Sequence, residues 1–445
     1  MIITVVGSGY VGLVSGVCLA EKGHDVICVD SNFEKIQNIT QGISPIHEEG
    51  LDNLLKKHIG KNLIATDDLS SAINKSDISI IAVGTPFDGH QIDLSYVEEV
   101  SRQIGSCLKF KENFHVVIVK STVVPGTTDN VVKPLLEKYS NKNAGVEFGL
   151  GMNPEFLREG VAVSDFMNPD RIILGGIDDN THKIMEKIYK PFGGVDIILT
   201  NNKTAEMIKY TSNSLLATMI SFSNEIGNLC SAISDIDSIE VMKGVHLDKR
   251  ISPILKDGSR IFPEFSTYLE TGCGFGGSCF PKDVEALISH GQSVNTSMSL
   301  LKSVMEVNQK QPMKIIDRLL KYYPDINGIN ITVLGLSFKP GTDDMRQSPS
   351  IPIINKIIDF GGLVDAYDPV AENHAREIFS KKPINYHNSL ENSVKNAKVI
   401  LLLTSWPEFR NLPDLLNSLK IEPLVIDGRR MLSKNEILNY EGIGN

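Results

Sequence analysis

Six residues near the start constrain this chain more than any others. Gly7-Ser8-Gly9-Tyr10-Val11-Gly12 follows the β-branched run Ile2–Val6 and opens a helical stretch reaching about Lys22. In a strand–turn–helix unit, the first glycine permits the tight turn and the second lets a pyrophosphate approach the backbone. The third lets the helix pack closely on the strand. The helix start presents unpaired N–H groups to that anion. The next apolar run, Val26–Val29, ends at Asp30, 23 residues after Gly7. An acid at this place binds the ribose hydroxyls of a dinucleotide. It also repels a 2′-phosphate, so NAD is expected rather than NADP. Gly7, Gly9, Tyr10, Val11, Gly12 and Asp30 form the predicted cofactor set. Lys35, five residues on, reads equally as a ribose contact or as a solvated helix lysine.

The pattern around this motif predicts an α/β fold. Apolar runs at Ile2–Val6, Val26–Val29, Ile78–Val83, Val116–Lys120, Phe148–Met152 and Arg171–Leu174 look like buried parallel strands separated by crossover helices. From Thr204 to Ile233, apolar residues recur near a 3.6 period, with no glycine before Gly227. A helix of that length can link two domains and pack on a partner subunit. A second α/β pattern follows, with strands at Ile331–Leu334, Leu363–Tyr367, Val399–Leu403 and Leu424–Ile426 and a helix over Pro349–Phe360. The expected plan is two Rossmann-like parallel-sheet domains joined by a long central helix and a helical middle domain. Expected limits are 1–200 for the NAD-binding domain and 201–312 for the dimerisation domain carrying the cysteine loop. The second Rossmann-like domain, expected to hold a nucleotide sugar, covers 313–445. The length of 445 residues fits about three domains.

Composition excludes several classes. With 44 basic and 54 acidic residues the net charge is −10, so a generally basic nucleic-acid binder is not expected. No apolar run approaches a membrane span, and the start reads as strand and turn rather than as a signal peptide. The six cysteines form no C-x-x-C pair. That pattern fits a reducing compartment, the cytoplasm, better than a disulfide framework. The ten scattered histidines form no metal-binding spacing, and no metal is expected.

Polar loops follow several strands. Gly84-Thr85-Pro86, Ser121-Thr122 and Asn153-Pro154-Glu155-Phe156-Leu157-Arg158-Glu159-Gly160 lie on the same edge as the glycine turn. Ligands in open α/β sheets sit beyond the carboxyl ends of the strands, so these loops share a predicted cleft. A second motif, Gly272-Cys273-Gly274-Phe275-Gly276-Gly277-Ser278-Cys279-Phe280-Pro281-Lys282-Asp283, precedes a probable helix start. Pro281 suits a first helical position and Asp283 a first turn. Cys279 at a positive helix end beside Lys282 would favour the thiolate; the bland alternative is a buried structural cysteine. A dinucleotide site plus a nucleophilic cysteine suggests oxidation of an aldehyde through a thiohemiacetal and a thioester.

These motifs resemble the nucleotide-sugar dehydrogenases, specifically the UDP-glucose/GDP-mannose 6-dehydrogenase family, over nearly the whole chain. The likeness rests on Gly7–Gly12, Val83–Pro86, Ser121–Thr127, Asn153–Gly160, Lys209–Asn213, Gly274–Asp283 and Phe338–Arg346. The resemblance implies oxidation of a sugar C6 alcohol to a carboxylate with two NAD⁺ consumed. By motif, Cys279 is the nucleophile and Lys209 stabilises oxyanions, with Asn213 one turn on. Asp283 activates or positions the water, Thr122 holds the water or hydroxyl, and Glu155 is an acid/base near the sugar. Glu159 lies near the nicotinamide, and Thr85, Pro86, Thr122 and Arg346 complete the implied cofactor contacts. Glu155, Phe156, Leu157, Lys209, Asn213, Tyr268, Gly276, Phe338 and Lys339 are the implied substrate contacts. The family is dimeric, so a homodimer is expected.

Two departures matter. Cys273 stands where many members carry a small residue or proline. The family also takes an arginine from the neighbouring subunit, and both Arg250 and Arg260 fit; Arg260, at the better distance from Cys279, is expected. The D-x-R-I element at Asp248–Ile251 and the overall motif set resemble the UDP-glucose branch of the family, so UDP-glucose is the expected substrate. The alternatives are GDP-mannose and a non-catalytic nucleotide-sensing Rossmann protein. The retained Cys279, Lys209 and Asp283 count against the last.

Overall fold

Near-continuous apolar runs build the first sheet, because a strand covered on both faces has no polar side to show. A computed structural model describes residues 1–233 and 235–445, in two units, Met1–Ser212 and Asn213–Asn445. In the first unit the strands are β1 (Ile2–Val6), β2 (Asp25–Val29), β3 (Leu63–Thr66), β4 (Ile78–Ile81), β5 (Val116–Val119), β6 (Gly149–Met152), β7 (Arg171–Gly176) and β8 (Asp196–Thr200). Their order is β3-β2-β1-β4-β5-β6-β7-β8. Strands β1 to β6 are mutually parallel. The chain order reverses direction across the sheet between β1 and β4, which creates the crevice where such folds bind ligands.

One expected strand differs. The run Arg171–Leu174 was expected parallel, but β7 pairs antiparallel with β6, and β8 runs parallel to β7. Burial on both faces produces the same apolar run in either direction, so hydropathy carries no sign of the reversal. The edge strand β8 is absent from the sequence reading. Its Ile197, Ile198 and Leu199 are exposed, and its register comes only from pairing with β7.

The second unit opens with helices, including Ser238–His246, Phe280–Ser293 and Ser299–Lys310. It then forms an all-parallel sheet of β9 (Asn330–Leu334), β10 (Leu363–Tyr367), β11 (Ile384–Tyr386), β12 (Val399–Leu402), β13 (Leu424–Asp427) and β14 (Tyr440–Gly442). Its order, β11-β10-β9-β12-β13-β14, repeats that of the first six strands. The expected α/β architecture with two Rossmann-like sheets and helices between them is therefore the observed one.

The long helix spans Asn202–Ala232, 31 residues, close to the predicted Thr204–Ile233. The boundary between the units falls inside it. Among the described residues no helix is long and apolar enough to cross a membrane.

Candidate active site

In the first unit, the glycine turn has the geometry its spacing demands. Gly7 has φ +99°, a left-handed conformation that favours glycine. A Cβ at Gly12 would lie 1.7 Å from the Gly7 carbonyl oxygen, so the helix Tyr10–Glu21 sits on its strand only because that atom is missing. At Gly9 a Cβ would meet nothing within 4 Å. The open side of the turn thus leaves room for a ligand against the backbone. The Asp30 carboxylate accepts from the Ser8 N–H at 2.7 Å and the Asn32 N–H at 2.9 Å, tying the turn to the end of β2. These residues fit a dinucleotide: a turn open to a pyrophosphate and an acid beside it. Lys35 lies in the first turn of the helix Phe33–Thr40, where its N–H is capped by Asn32.

Tyr10 and Val11 pack against the apolar core of this unit. The Tyr10 hydroxyl donates to Glu48, and burial followed by that carboxylate pushes the phenol well above its usual range. Glu48 also accepts from Gly160 N–H at 2.8 Å and Ala162 N–H at 2.6 Å. It therefore holds the Asn153–Gly160 loop against the glycine helix. No sequence signal marked Glu48, because its partners come from segments far along the chain.

The loops after β4 and β5 are joined by hydrogen bonds. Thr85 Oγ1 donates to the Thr122 carbonyl at 2.8 Å, and Ser121 Oγ donates to the Val83 carbonyl at 2.7 Å. Pro86 accepts from the Asp93 N–H. Glu206 of the long helix accepts from Thr128 N–H at 2.8 Å and Thr128 Oγ1 at 2.7 Å, fixing the loop that follows Thr122.

The centre of this unit's site is an ion pair. Lys209 Nζ lies 2.8 Å from Glu155 Oε1, and both side chains are about 5% exposed or less. Glu155 Oε2 accepts from the Leu157 N–H at 2.6 Å. Burial alone would raise the Glu155 carboxyl, but Lys209, the Leu157 N–H and Lys120 together hold it below its ordinary value. The Phe156 ring lies beneath Lys209, 5.5 Å from Nζ, and beneath Arg171 at 4.1 Å. Glu159 is half-buried one residue before Gly160. Lys120, just past β5 and read from the sequence only as a strand end, donates to Asn153 Oδ1 at 3.0 Å.

In the second unit, Cys279 is the N-cap of the helix Phe280–Ser293, half-buried, with Ser278 Oγ 3.6 Å from its sulfur. The helix begins at Phe280, so Pro281 occupies its second position rather than its first. Asp283 is buried between two donors: Asn213 Nδ2 at 2.6 Å and Lys282 Nζ at 2.7 Å. The Lys282 charge is thus directed to Asp283. Asn213 stands one turn beyond Lys209 on the long helix.

The glycines before Cys279 serve close packing within this unit. A Cβ on Gly276 would lie 2.3 Å from the Gln347 carbonyl, and one on Gly277 would lie 2.7 Å from the Phe338 ring. Gly277 N–H donates to the Arg346 carbonyl at 2.8 Å. The cysteine loop and the Phe338–Arg346 segment are therefore one packed surface. Lys339 Nζ lies 5.8 Å from the Phe338 ring, and the Arg346 guanidinium pairs with Asp344. The Tyr268 ring lies 6.2 Å from Phe280. Arg429 joins these parts, donating to the carbonyls of Leu403, Gly274 and Phe338. It too escaped the sequence reading, standing far from every motif. Cys273 is buried in the second core, where burial raises its thiol.

The two candidate arginines differ. Arg260 donates to the carbonyls of Leu247 and Ser252, so its guanidinium braces its own loop. Arg250 pairs with Asp248, two residues before it, and its side chain is 86% exposed. Among the described residues no group of three or more His, Cys, Asp or Glu is placed to hold a metal.

The place of Asp30 beside the glycine turn gives a test of the cofactor preference. Comparison of kcat/KM for the two dinucleotides is expected to favour NAD⁺ strongly. Asp30→Ala is expected to narrow that preference, and equal use of NADP⁺ by the unaltered protein would contradict it.

Comparison with known proteins agrees with both units. Residues 1–193 match the NAD-binding domain of the UDP-glucose/GDP-mannose dehydrogenase family, residues 203–310 its central domain and residues 332–434 its UDP-binding domain. The chain is 39% identical over 448 residues to UDP-glucose 6-dehydrogenase AglM of Haloferax volcanii, covering 100% of both proteins. It is 39% identical over 438 residues to UDP-glucose 6-dehydrogenase TuaD of Bacillus subtilis, covering 98% of this chain and 90% of that one. A UDP-glucose dehydrogenase structure from the hyperthermophilic archaeon Pyrobaculum islandicum superposes with a TM-score of 0.90 at 33% identity, covering 100% of this chain and 97% of that one. With three domain matches in order along one chain, and likeness from end to end, this protein belongs to the UDP-glucose/GDP-mannose dehydrogenase family.

Proposed function

We propose that the protein is an NAD-dependent 6-dehydrogenase that oxidises UDP-glucose to UDP-glucuronate. The observation that carries this reading is the end-to-end 39% identity to UDP-glucose 6-dehydrogenases, in a chain that keeps Cys279, Lys209, Glu155 and Asp283 in the arrangements described above. A bound NAD⁺ would be held by Gly7–Gly12 and Asp30, with Lys35, Thr85, Pro86, Thr122, Glu159 and Arg346 as further contacts. When bound, it supplies a hydride acceptor for C6.

The roles of the chain's own groups follow from their surroundings. Glu155 is kept ionised by Lys209 and so suits removal of the proton from the C6 hydroxyl. The Lys209 ammonium, buried and fixed, stabilises negative charge on that oxygen. The Cys279 thiolate adds to the C6 aldehyde carbon to form a thiohemiacetal, whose oxidation leaves a thioester. Water opens the thioester to the carboxylate and returns the thiol. Asp283, held by Asn213 and Lys282, orients that water, and Thr122 holds the water or hydroxyl. Phe156, Leu157, Tyr268, Gly276, Phe338 and Lys339 contribute to sugar-nucleotide binding. The exposed Arg250 replaces the self-engaged Arg260 as the better candidate to reach a neighbouring subunit.

Absorbance at 340 nm is expected to report two NADH per UDP-glucose, with GDP-mannose inert. NADH from GDP-mannose alone would move the substrate assignment and leave the chemistry standing.

Cys279→Ser is expected to lower acid formation by about 100-fold or more, because a serine hydroxyl is a far poorer nucleophile at neutral pH. Substrate binding by calorimetry should persist. Cys273→Ala should keep turnover close to wild type, since its sulfur lies in the core. Acid formation at the normal rate in Cys279→Ser would assign the covalent step elsewhere.

The protein is further read as a homodimer. Leu215, Phe222 and Leu229 recur every seven residues on the long helix, and each is more than half exposed. Such an apolar face seeks a partner surface, and a second copy of this helix supplies one by symmetry. Sedimentation should give a dimer at micromolar concentration. A monomer there, or an unchanged dimer in Phe222→Glu, would refute this interface.

A further inference from the structure

We propose that Arg171 is a ligand-binding residue of the sugar-nucleotide site. Its guanidinium, laid on the Phe156 ring, receives an oxyanion of the ligand: a diphosphate oxygen or the carboxylate formed at C6. This inference rests on the reading that Glu155 and Lys209 act at C6, because Phe156 directly follows Glu155.

The direction of β7 places Arg171 there. Strand β7 pairs antiparallel with β6, Gly175 opposite Met152 and Gly176 opposite Gly151. Continuing that register four residues beyond the Met152–Gly175 pair brings Arg171 opposite Phe156. A parallel β7 would begin at the far edge of the sheet, away from the carboxyl ends of the strands where ligands sit. The reversed strand begins at the ligand edge instead. The contacts agree with this register. The Arg171 guanidinium carbon lies 4.1 Å from the centre of the Phe156 ring, and Asn153 Nδ2 donates to the Ile173 carbonyl at 2.9 Å. All of these residues belong to the first unit.

Arg171 is half-buried. Among the described residues its one hydrogen bond runs from Nη2 to Ser212 Oγ at 3.3 Å, one turn after Lys209 on the long helix. No described carboxylate forms an ion pair with it. Glu155, beside Phe156, is bonded to Lys209 and to the Leu157 N–H. A guanidinium that has lost part of its water without gaining a carboxylate is matched to an acceptor that arrives with a ligand. Stacking on an aromatic face holds the guanidinium plane and leaves its edge N–H groups free to grip two oxygens of one anion. Lys209 Nζ lies 5.5 Å from the same ring, so a sugar whose C6 meets Lys209 brings anionic groups into this neighbourhood. The plain alternative is a side chain that only covers Phe156 with its stem. In that case loss of the charge leaves ligand affinity unchanged.

Calorimetry with UDP-glucose, UDP-glucuronate and UDP on wild type, Arg171→Met and Arg171→Lys tests the proposal. Methionine keeps an apolar cover over Phe156 and removes the charge. Arg171→Met should bind UDP-glucuronate about 10- to 100-fold more weakly, the loss expected for a charge-assisted hydrogen bond. If the diphosphate is the partner, UDP-glucose and UDP weaken by a similar factor. If the C6 carboxylate is the partner, those two bind as they do to wild type. Arg171→Lys should recover only part of the affinity, because a point charge cannot make the paired grip. NADH binding should be unchanged in both variants, which shows that the unit is folded. Wild-type affinity for all three ligands in Arg171→Met would overturn the proposal. If that variant does not fold, wild-type affinity for all three in Arg171→Lys would overturn it. Absence of NADH formation by wild type with every nucleotide sugar would instead remove the functional reading, and this inference with it.

Discussion

Burying a carboxylate requires compensating positive charge, and in the first unit that requirement shapes the site. Glu155 is fixed by Lys209 and by the Leu157 N–H. Removing one partner of such a pair costs about 3–5 kcal/mol, because the other is left charged and unpaired. The requirement therefore links a loop after β6 to the first turns of the long helix, 54 residues later in the chain. It also recruits Lys120 through Asn153. The same side chains that hold these elements in place are the ones proposed for proton transfer and oxyanion stabilisation.

The repeated strand order invites a comparison of the two Rossmann-like sheets. In the first, Asp30 closes β2 and accepts from the turn after β1. In the second, Asp368 stands just past β10 and accepts from Leu336 N–H and Ser337 N–H in the turn after β9. Both acids anchor the loop of the preceding strand. Asp368 also accepts from Val370 N–H, Ala371 N–H and the Trp406 indole. Its lone pairs are taken by the protein, whereas Asp30 retains capacity for ribose hydroxyls. One topology thus supports two different nucleotide-binding tasks, and the difference lies in side chains that arrive from elsewhere in each sheet.

The two cysteines of the glycine-rich loop differ in their surroundings. Cys273 and Cys279 are six residues apart. Cys273 points into the second core, where burial raises its thiol. Cys279 stands half-buried at the N-cap of the helix Phe280–Ser293. The glycines between them let the loop pass under Phe338 and Gln347 with no room for side chains.

Local rules read the glycine turn, Asp30, most buried strands, the long helix and the helix start at Cys279 directly from the sequence. These features depend on periodicity, backbone freedom and short spacing, which the chain carries on its face. Only the tertiary structure decided the direction of β7, because a doubly buried strand looks alike either way. It alone revealed Glu48, Lys120 and Arg429, whose partners lie tens of residues or more away. It also showed the Arg260 guanidinium braced by its own loop, leaving Arg250 exposed, a distinction that spacing could not make. Charge compensation and carbonyl satisfaction are settled by which groups meet in space, and only folding brings those groups together.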